Sequence, residues 1–388
     1  MRVILRIFVC ALATVFVATP QGSVYYPGPG GDWEHREAAQ VGMDEERLAA
    51  AIAFGKTSET KASRDLLQNH YLSWGLEPYG DAVGPHKKRG DMTGIIVRNG
   101  YIVAEWGEPQ RVDMTFSVTK SFLSTTVGLA YDRGLIRDID DRVQPYMPTD
   151  HFDSEHNAKI TWDHLLRQTS DWQGTLWDKP DWADRPSKDV EPTKWMTRPR
   201  HEPGTVYKYN DVRVNLLALA ALHVWREPLP QVLKKHVMDP IGASNTWRWH
   251  GYENSWVTLD GLKVQSASGG GHWGGGMFLT ARDQARFGYF TLRRGNWRGK
   301  QLLSEKWFEM ARTPGKVNDT YGFMNFFLNT GRKSIPSAPA SAYSHRGAGT
   351  NLIYVDEEND LVVVARWIEG SAIDEFIGKV LASINKRQ

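Results

Sequence analysis

Two stretches of this chain read as antiparallel strand pairs, and they lie at opposite ends of it. Residues 94–106 carry apolar side chains on either side of Asn99-Gly100, a dipeptide suited to a two-residue hairpin turn. Residues 351–355 and 361–367 read as a second pair around an acidic turn. Ile373, Phe376, Ile377, Val380, Leu381 and Ile384 then mark one face of a closing helix. Near the start, Asp44 can cap a helix whose apolar positions include Leu48, Ile52 and Ala53. Residues 115–260 are mostly helical in pattern, with long Trp-containing loops. A sheet built from both ends has to accommodate that helical insertion. The expected class is α+β: an antiparallel sheet flanked by helices, with a mostly helical region inserted. The sheet part covers 38–114 and 261–388 and the helical part 115–260, together one domain over 23–388.

Composition removes several alternatives. Of 388 residues, 41% are apolar and 24% charged, which fits a globular protein and not a disordered, collagenous or multispan membrane one. The net charge of +2 gives no pull toward nucleic acid. The single cysteine, Cys10, excludes a disulfide framework, a Cys-ligated zinc and a Cys nucleophile. The 12 histidines contain no His-Glu-x-x-His arrangement, and neither metal nor cofactor is expected. Arg2 and Arg6 precede an apolar run at 7–18 that is too short to span a bilayer comfortably. Residues 1–22 therefore read as a signal peptide, or as an uncleaved anchor, and imply a secreted or periplasmic protein. Residues 20–31 follow as an extended Gly/Pro leader.

Three segments carry chemistry. Ser117-Val118-Thr119-Lys120 has Ser-x-x-Lys spacing, which sets both side chains on one helical face. A buried lysine that is neutral part of the time can take the serine proton. The spacing also occurs at Ser58/Lys61 and Ser383/Lys386, both in polar surroundings. Only Ser117 leads into an apolar helix, through Phe122, Leu123, Val127 and Leu129 to a stop at Gly134. Taken alone, the motif fits a capping serine with a snorkelling lysine equally well. A Pro203-Gly204 turn delivers Tyr209, whose phenol can relay protons or simply pack. His345-Arg346-Gly347-Ala348 precedes a strand, where a glycine allows close approach and a main-chain N–H can serve an oxyanion. Gly269 to Gly274 matches Gly-x-Gly-x-x-Gly without the strand and helix that a nucleotide site needs, and reads as accidental. No Gly-x-Ser-x-Gly elbow occurs. Among the 16 tryptophans, Trp172 and Trp177 are candidates for a cleft wall.

The order Phe116-Ser117-Val118-Thr119-Lys120, Tyr209-Asn210-Asp211, His345-Arg346-Gly347 resembles the three motifs of the serine β-lactamase-like hydrolases. That group includes class C β-lactamases, D-alanyl-D-alanine carboxypeptidases, esterases and 6-aminohexanoate-dimer hydrolases. Segments at His164-Leu165-Leu166, Thr169-Ser170, Gly274-Gly275-Gly276 and Leu279-Thr280-Ala281-Arg282-Asp283 agree with it. The resemblance implies the β-lactamase/transpeptidase-like fold and a small-molecule ester or amide substrate. It implies Ser117 as nucleophile, Lys120 and Tyr209 sharing acid and base work, and the Ser117 and Ala348 N–H groups as the oxyanion hole. Asp211, His345, Arg346 and Gly347 would line the substrate, with His345 facing the cleft where many members have lysine. Arg346 should point to the opposite strand face from His345. Asp211 stands where the group usually has asparagine, and Asn210 should point elsewhere. Both departures lower the local potential, which favours neutral or cationic esters and amides over β-lactams. The alternatives are a true β-lactamase or D-alanyl-D-alanine carboxypeptidase, or a non-catalytic penicillin-binding sensor.

Overall fold

The computed structural model describes residues 24–187 and 191–385. The expected signal or anchor at 1–22 lies outside them. Ten strands carry the architecture: β1 Thr93–Arg98, β2 Tyr101–Trp106, β3 Asp113–Met114, β4 Arg248–Leu259, β5 Leu262–Ala267, β6 Gly276–Leu279, β7 Phe327–Leu328, β8 Tyr343–Gly347, β9 Asn351–Asp356 and β10 Leu361–Arg366. Five helices matter for the argument: α1 Glu45–Thr57, α2 Thr119–Asp132, α3 Asp211–Trp225, α4 Ala281–Leu292 and α5 Ile373–Ala382.

The two terminal strand pairs join as expected. The main sheet has the order β7-β8-β9-β10-β1-β2, so the first hairpin pairs with the last strand. Asn99 (φ 52°) and Gly100 (φ 88°) turn that hairpin with left-handed backbone at both positions, which is why Asn-Gly stands there. Alternate residues divide between two faces. Ile95, Val97, Ile353, Val355, Val362 and Val364 face a core that also holds Phe287 and Phe290 of α4. Ile96, Leu352, Tyr354 and Val363 face Leu48 and Ala51 of α1 and Phe376, Ile377 and Val380 of α5. Both faces are covered, so the sheet is sandwiched between helices. Asp44 caps α1 by accepting from the Arg47 N–H at 2.8 Å.

A second sheet has the order β3-β6-β4-β5, and of its strands β4 lies where helix was expected. The mostly helical stretch gives way to strand at Arg248, a dozen residues before the expected boundary. In Arg248–Leu259 buried and exposed residues roughly alternate, so period two wins over the helical pattern read across the region. The described part of the Gly/Pro leader, 24–31, forms no helix or strand and is bound to the body. Arg286 donates to the Gly28 and Gly30 carbonyls, and Tyr25 stacks on Tyr101 at 4.2 Å. No helix among the described residues is long and apolar enough to cross a membrane.

Candidate active site

Ser117 does not sit in α2 itself. It occupies a one-turn 3₁₀ segment, Phe116–Val118, immediately before the helix. Phe116 has φ 49°, a left-handed conformation unusual for an aromatic residue, which costs about 1–3 kcal/mol and needs support. Trp74 and Trp367 pack edge-on against its ring at 5.7 and 6.5 Å. Thr115 N–H donates to the Met277 carbonyl, and the Met277 N–H donates to Thr119 Oγ1, both at 2.9 Å. Strand β6 thus braces the turn from both ends. Phe116 and Val118 are buried, while Ser117 between them is partly exposed.

Lys120 is completely buried. Its Nζ donates to Ser117 Oγ at 2.8 Å and to Asp211 Oδ1 at 2.6 Å. Burial pushes the lysine below its ordinary value, Asp211 opposes this, and Arg185 pushes the same way as burial. Asp211 is the first residue of α3, where the helix dipole favours its charge. Burial works to raise its carboxyl, but Lys120 and Arg185 hold it well below the carboxylate range. Tyr209 lies 4.7 Å from the Lys120 ammonium, measured to its ring centre. Gln168 fixes the backbone on both sides of it: the Lys208 N–H donates to the Gln168 carbonyl at 3.0 Å and the Asn210 N–H to its side chain at 2.7 Å. Burial, then the Asp211 charge, push the Tyr209 phenol far up, so it stays neutral at ordinary pH. Asn210 points elsewhere, as expected: it accepts from the Arg213 N–H and donates to the Asp181 carbonyl.

Arg185 is the feature that the sequence did not signal. It follows Asp184 in an irregular segment, with left-handed backbone (φ 48°). Its Nη1 donates to Asp211 Oδ2 at 2.8 Å and to Asp184 Oδ1 at 2.6 Å. Its guanidinium stands 5.1 Å from the Tyr209 ring centre and 5.8 Å from that of Trp74. Asp184 accepts from the Asp211 N–H, and burial pushes its own carboxyl up. His272 reaches Glu77 at 3.0 Å and Asp184 at 3.6 Å. Glu77, Asp184 and His272 have a metal-binding composition. Arg185 and the Asp211 N–H, however, already bond the Asp184 carboxylate, and His272 Nε2 is hydrogen-bonded to Glu77.

The third motif departs from expectation. His345 is fully buried and does not open on the cleft. Its Nδ1 pairs with Ser121 Oγ at 2.9 Å, and its ring is enclosed by Phe287, Phe326 and Tyr343. Burial pushes it down to about 3, so it is neutral over the whole working range. Arg346 takes the opposite strand face, as expected. There it donates to Ser344 Oγ at 2.8 Å and lies over Phe327. Gly347 is well placed: a Cβ there would collide with the Thr115 carbonyl and come within 3.2 Å of the Ser117 nitrogen. Trp172 is a core residue, buried with its indole N–H on the His151 carbonyl at 2.7 Å, and Trp177 packs against the same core. Neither forms a cleft wall; Trp74 comes closer to that description. The glycine run 269–274 leads into strand β6 and not into a helix, and it is not idle. A Cβ on Gly270 would fall inside the Lys120–Asp211 pair.

With this geometry in place, comparison identifies the group. Residues 81–366 match the family model described as Beta-lactamase. The chain belongs to the beta-lactamase family. Similar solved structures include a putative 6-aminohexanoate-dimer hydrolase from Bacillus anthracis, with 17% identity, TM-score 0.51, and 76% of this chain and 78% of that one covered. A penicillin-binding protein homologue from Caulobacter crescentus has 14% identity and TM-score 0.58 over 88% and 99%. A family VIII carboxylesterase has 16% identity and TM-score 0.57 over 88% and 99%. At these identities the neighbours establish the β-lactamase/transpeptidase-like fold. As a beta-lactamase family hydrolase, the chain brings together Ser117, Lys120, Tyr209, Asp211 and Gly347 and leaves Trp172 and Trp177 in the core. Arg185, Gln168 and Gly270 join the site from segments without a catalytic signature.

Proposed function

We propose that the protein hydrolyses a small ester or amide through an acyl-enzyme on Ser117. The observation that carries this is the 2.8 Å contact between a partly exposed Ser117 Oγ and a fully buried Lys120 Nζ. Ser117 Oγ attacks the substrate carbonyl while its proton passes to neutral Lys120. The N–H groups of Ser117 and Ala348 hold the oxyanion, Gly347 allowing the close approach of strand and turn. The leaving alkoxide or amine departs with the proton held by Lys120, delivered directly or relayed through Tyr209, which takes the Lys120 proton as it gives up its own. Water then attacks the ester of Ser117; the acid is released and the serine regains its hydrogen.

Substrate charge needs a revised account. Asp211 was expected to repel anions, but Lys120 and Arg185 both pair with it. Arg185 also brings a cation beside Tyr209. This favours retaining β-lactam or D-alanyl peptide hydrolysis as the second reading. Intact-mass analysis after exposure to activated esters, amides and β-lactams separates the readings. Transient acylation by esters with turnover supports the esterase/amidase reading, and turnover confined to β-lactams supports the second. A permanent adduct with every compound indicates a sensor. Export on the signal-like residues 1–22 is also proposed, tested by whether the chain recovered outside the cytoplasm lacks them.

A further inference from the structure

The charged groups beside Lys120 form a closed ring. Asp211 gives Oδ1 to Lys120 and Oδ2 to Arg185. Arg185 Nη1 also binds Asp184, and Asp184 accepts from the Asp211 backbone, closing the circuit. Arg185 is itself held at its backbone, since its carbonyl accepts from Lys208 Nζ at 2.6 Å and its N–H donates to Glu77 at 3.4 Å. Two cations therefore share one carboxylate, and only one of them touches the proposed nucleophile.

We propose that Asp211 and Arg185 are antagonistic positioning residues that set when Lys120 can accept the Ser117 proton. The proposal rests on the acyl-enzyme reading above. A carboxylate alone against a buried lysine would stabilise the ammonium, giving a balanced pair and a poor base. Arg185 on the second oxygen changes the count. Arg185 offsets part of the Asp211 charge, so the pull on the Lys120 ammonium is weaker than Asp211 alone would exert. The other groups facing the lysine do not undo this. Tyr209 and Tyr321 are buried phenols pushed up, burial and Arg185 push His272 down to about 4, and Asp184 bonds Arg185 and the Asp211 N–H and not the lysine. Glu77 pairs with His272, and Lys208 is spent on the Arg185 carbonyl.

The test is the pH profile of kcat/KM for a neutral p-nitrophenyl ester, whose rise with pH follows deprotonation of the base in the free enzyme. Arg185→Gln leaves Asp211 wholly to Lys120 and moves that rise upward by about one to three pH units. Asp211→Asn removes the anion and moves it downward by a similar amount. Arg185→Lys keeps a cation there and stays near wild type. A merely structural role would lower rates without moving the limb in opposite directions. Arg185 is partly exposed, so its two variants decide the matter if Asp211→Asn does not fold. A limb that stays fixed in Arg185→Gln, or moves downward, overturns the proposal. Ser117→Ala in the same assay separates the two levels: residual turnover there rejects the acyl-enzyme reading itself.

Discussion

Gly270→Ala should disable the site while leaving the protein folded. The residue has ordinary backbone, and the demand for glycine is steric. A Cβ would lie well inside 3.0 Å of both Asp211 Oδ1 and Lys120 Nζ, and 3.0 Å from Asp211 Cγ. Both partners are fully buried and joined at 2.6 Å, so neither has free space to retreat into. Overpacking of this kind costs about 1–3 kcal/mol, against about 5–15 kcal/mol of total stability for a typical protein. The fold survives, but the displaced lysine loses its line to Ser117, and losing a general base costs about 100- to 10,000-fold in rate. Gly288→Ala is the matched control. Its Cβ would meet Ile353 and Val362 at 2.6 and 2.7 Å, between α4 and the main sheet, touching neither Lys120 nor Asp211. The measurements are kcat/KM for a p-nitrophenyl ester and the thermal midpoint of each variant. Both should lose stability; only Gly270→Ala should lose activity out of proportion. Gly270→Ala within threefold of wild type in rate would refute the reasoning.

Two further outcomes follow from burial. Lys120→Arg keeps the charge but supplies a group that does not deprotonate, so rates should fall by about 100- to 10,000-fold; near-normal rates would move the base role to Tyr209. His345 and His272 stay neutral in the folded state down to about 3 and about 4, whereas in the unfolded chain they take protons below about 6.5. Stability is then complete above pH 6.5 and falls as pH drops below it, by about 1.4 kcal/mol per pH unit for each ring. Urea unfolding at pH 7.5 and 5.5 checks this: His345→Gln should show a shallower loss, and equal stability of wild type at both pH values would contradict it.

The parts of the molecule legible in the sequence are those governed by local rules. Asn99-Gly100 announced its hairpin because both positions need left-handed backbone, and Asp44 announced α1 because an orphan N–H needs an acceptor. Ser117 and Lys120 were readable together because one helical turn joins them. Arg185 was not, since it arrives from an irregular segment whose partners, Asp184 and Asp211, are assembled by tertiary contacts alone. Gly270 was dismissed with its glycine run because the reason for it lies in a lysine and an aspartate far away in sequence. The motif position of His345 suggested a cleft residue. Phe287 of α4 and Phe326 close over the ring, and no strand pattern specifies what covers a strand face. Trp172 was misread for a similar reason, its polar N–H being satisfied inside the core by His151.

The central claim is that Ser117 forms the covalent intermediate, and active-site labelling tests it most directly. A fluorophosphonate probe, followed by intact-mass measurement and peptide mapping, should add one equivalent to the wild-type protein at Ser117. The folded Ser117→Ala variant should take up none. An adduct that persists in Ser117→Ala, or that maps to Ser58 or another hydroxyl, would contradict the account.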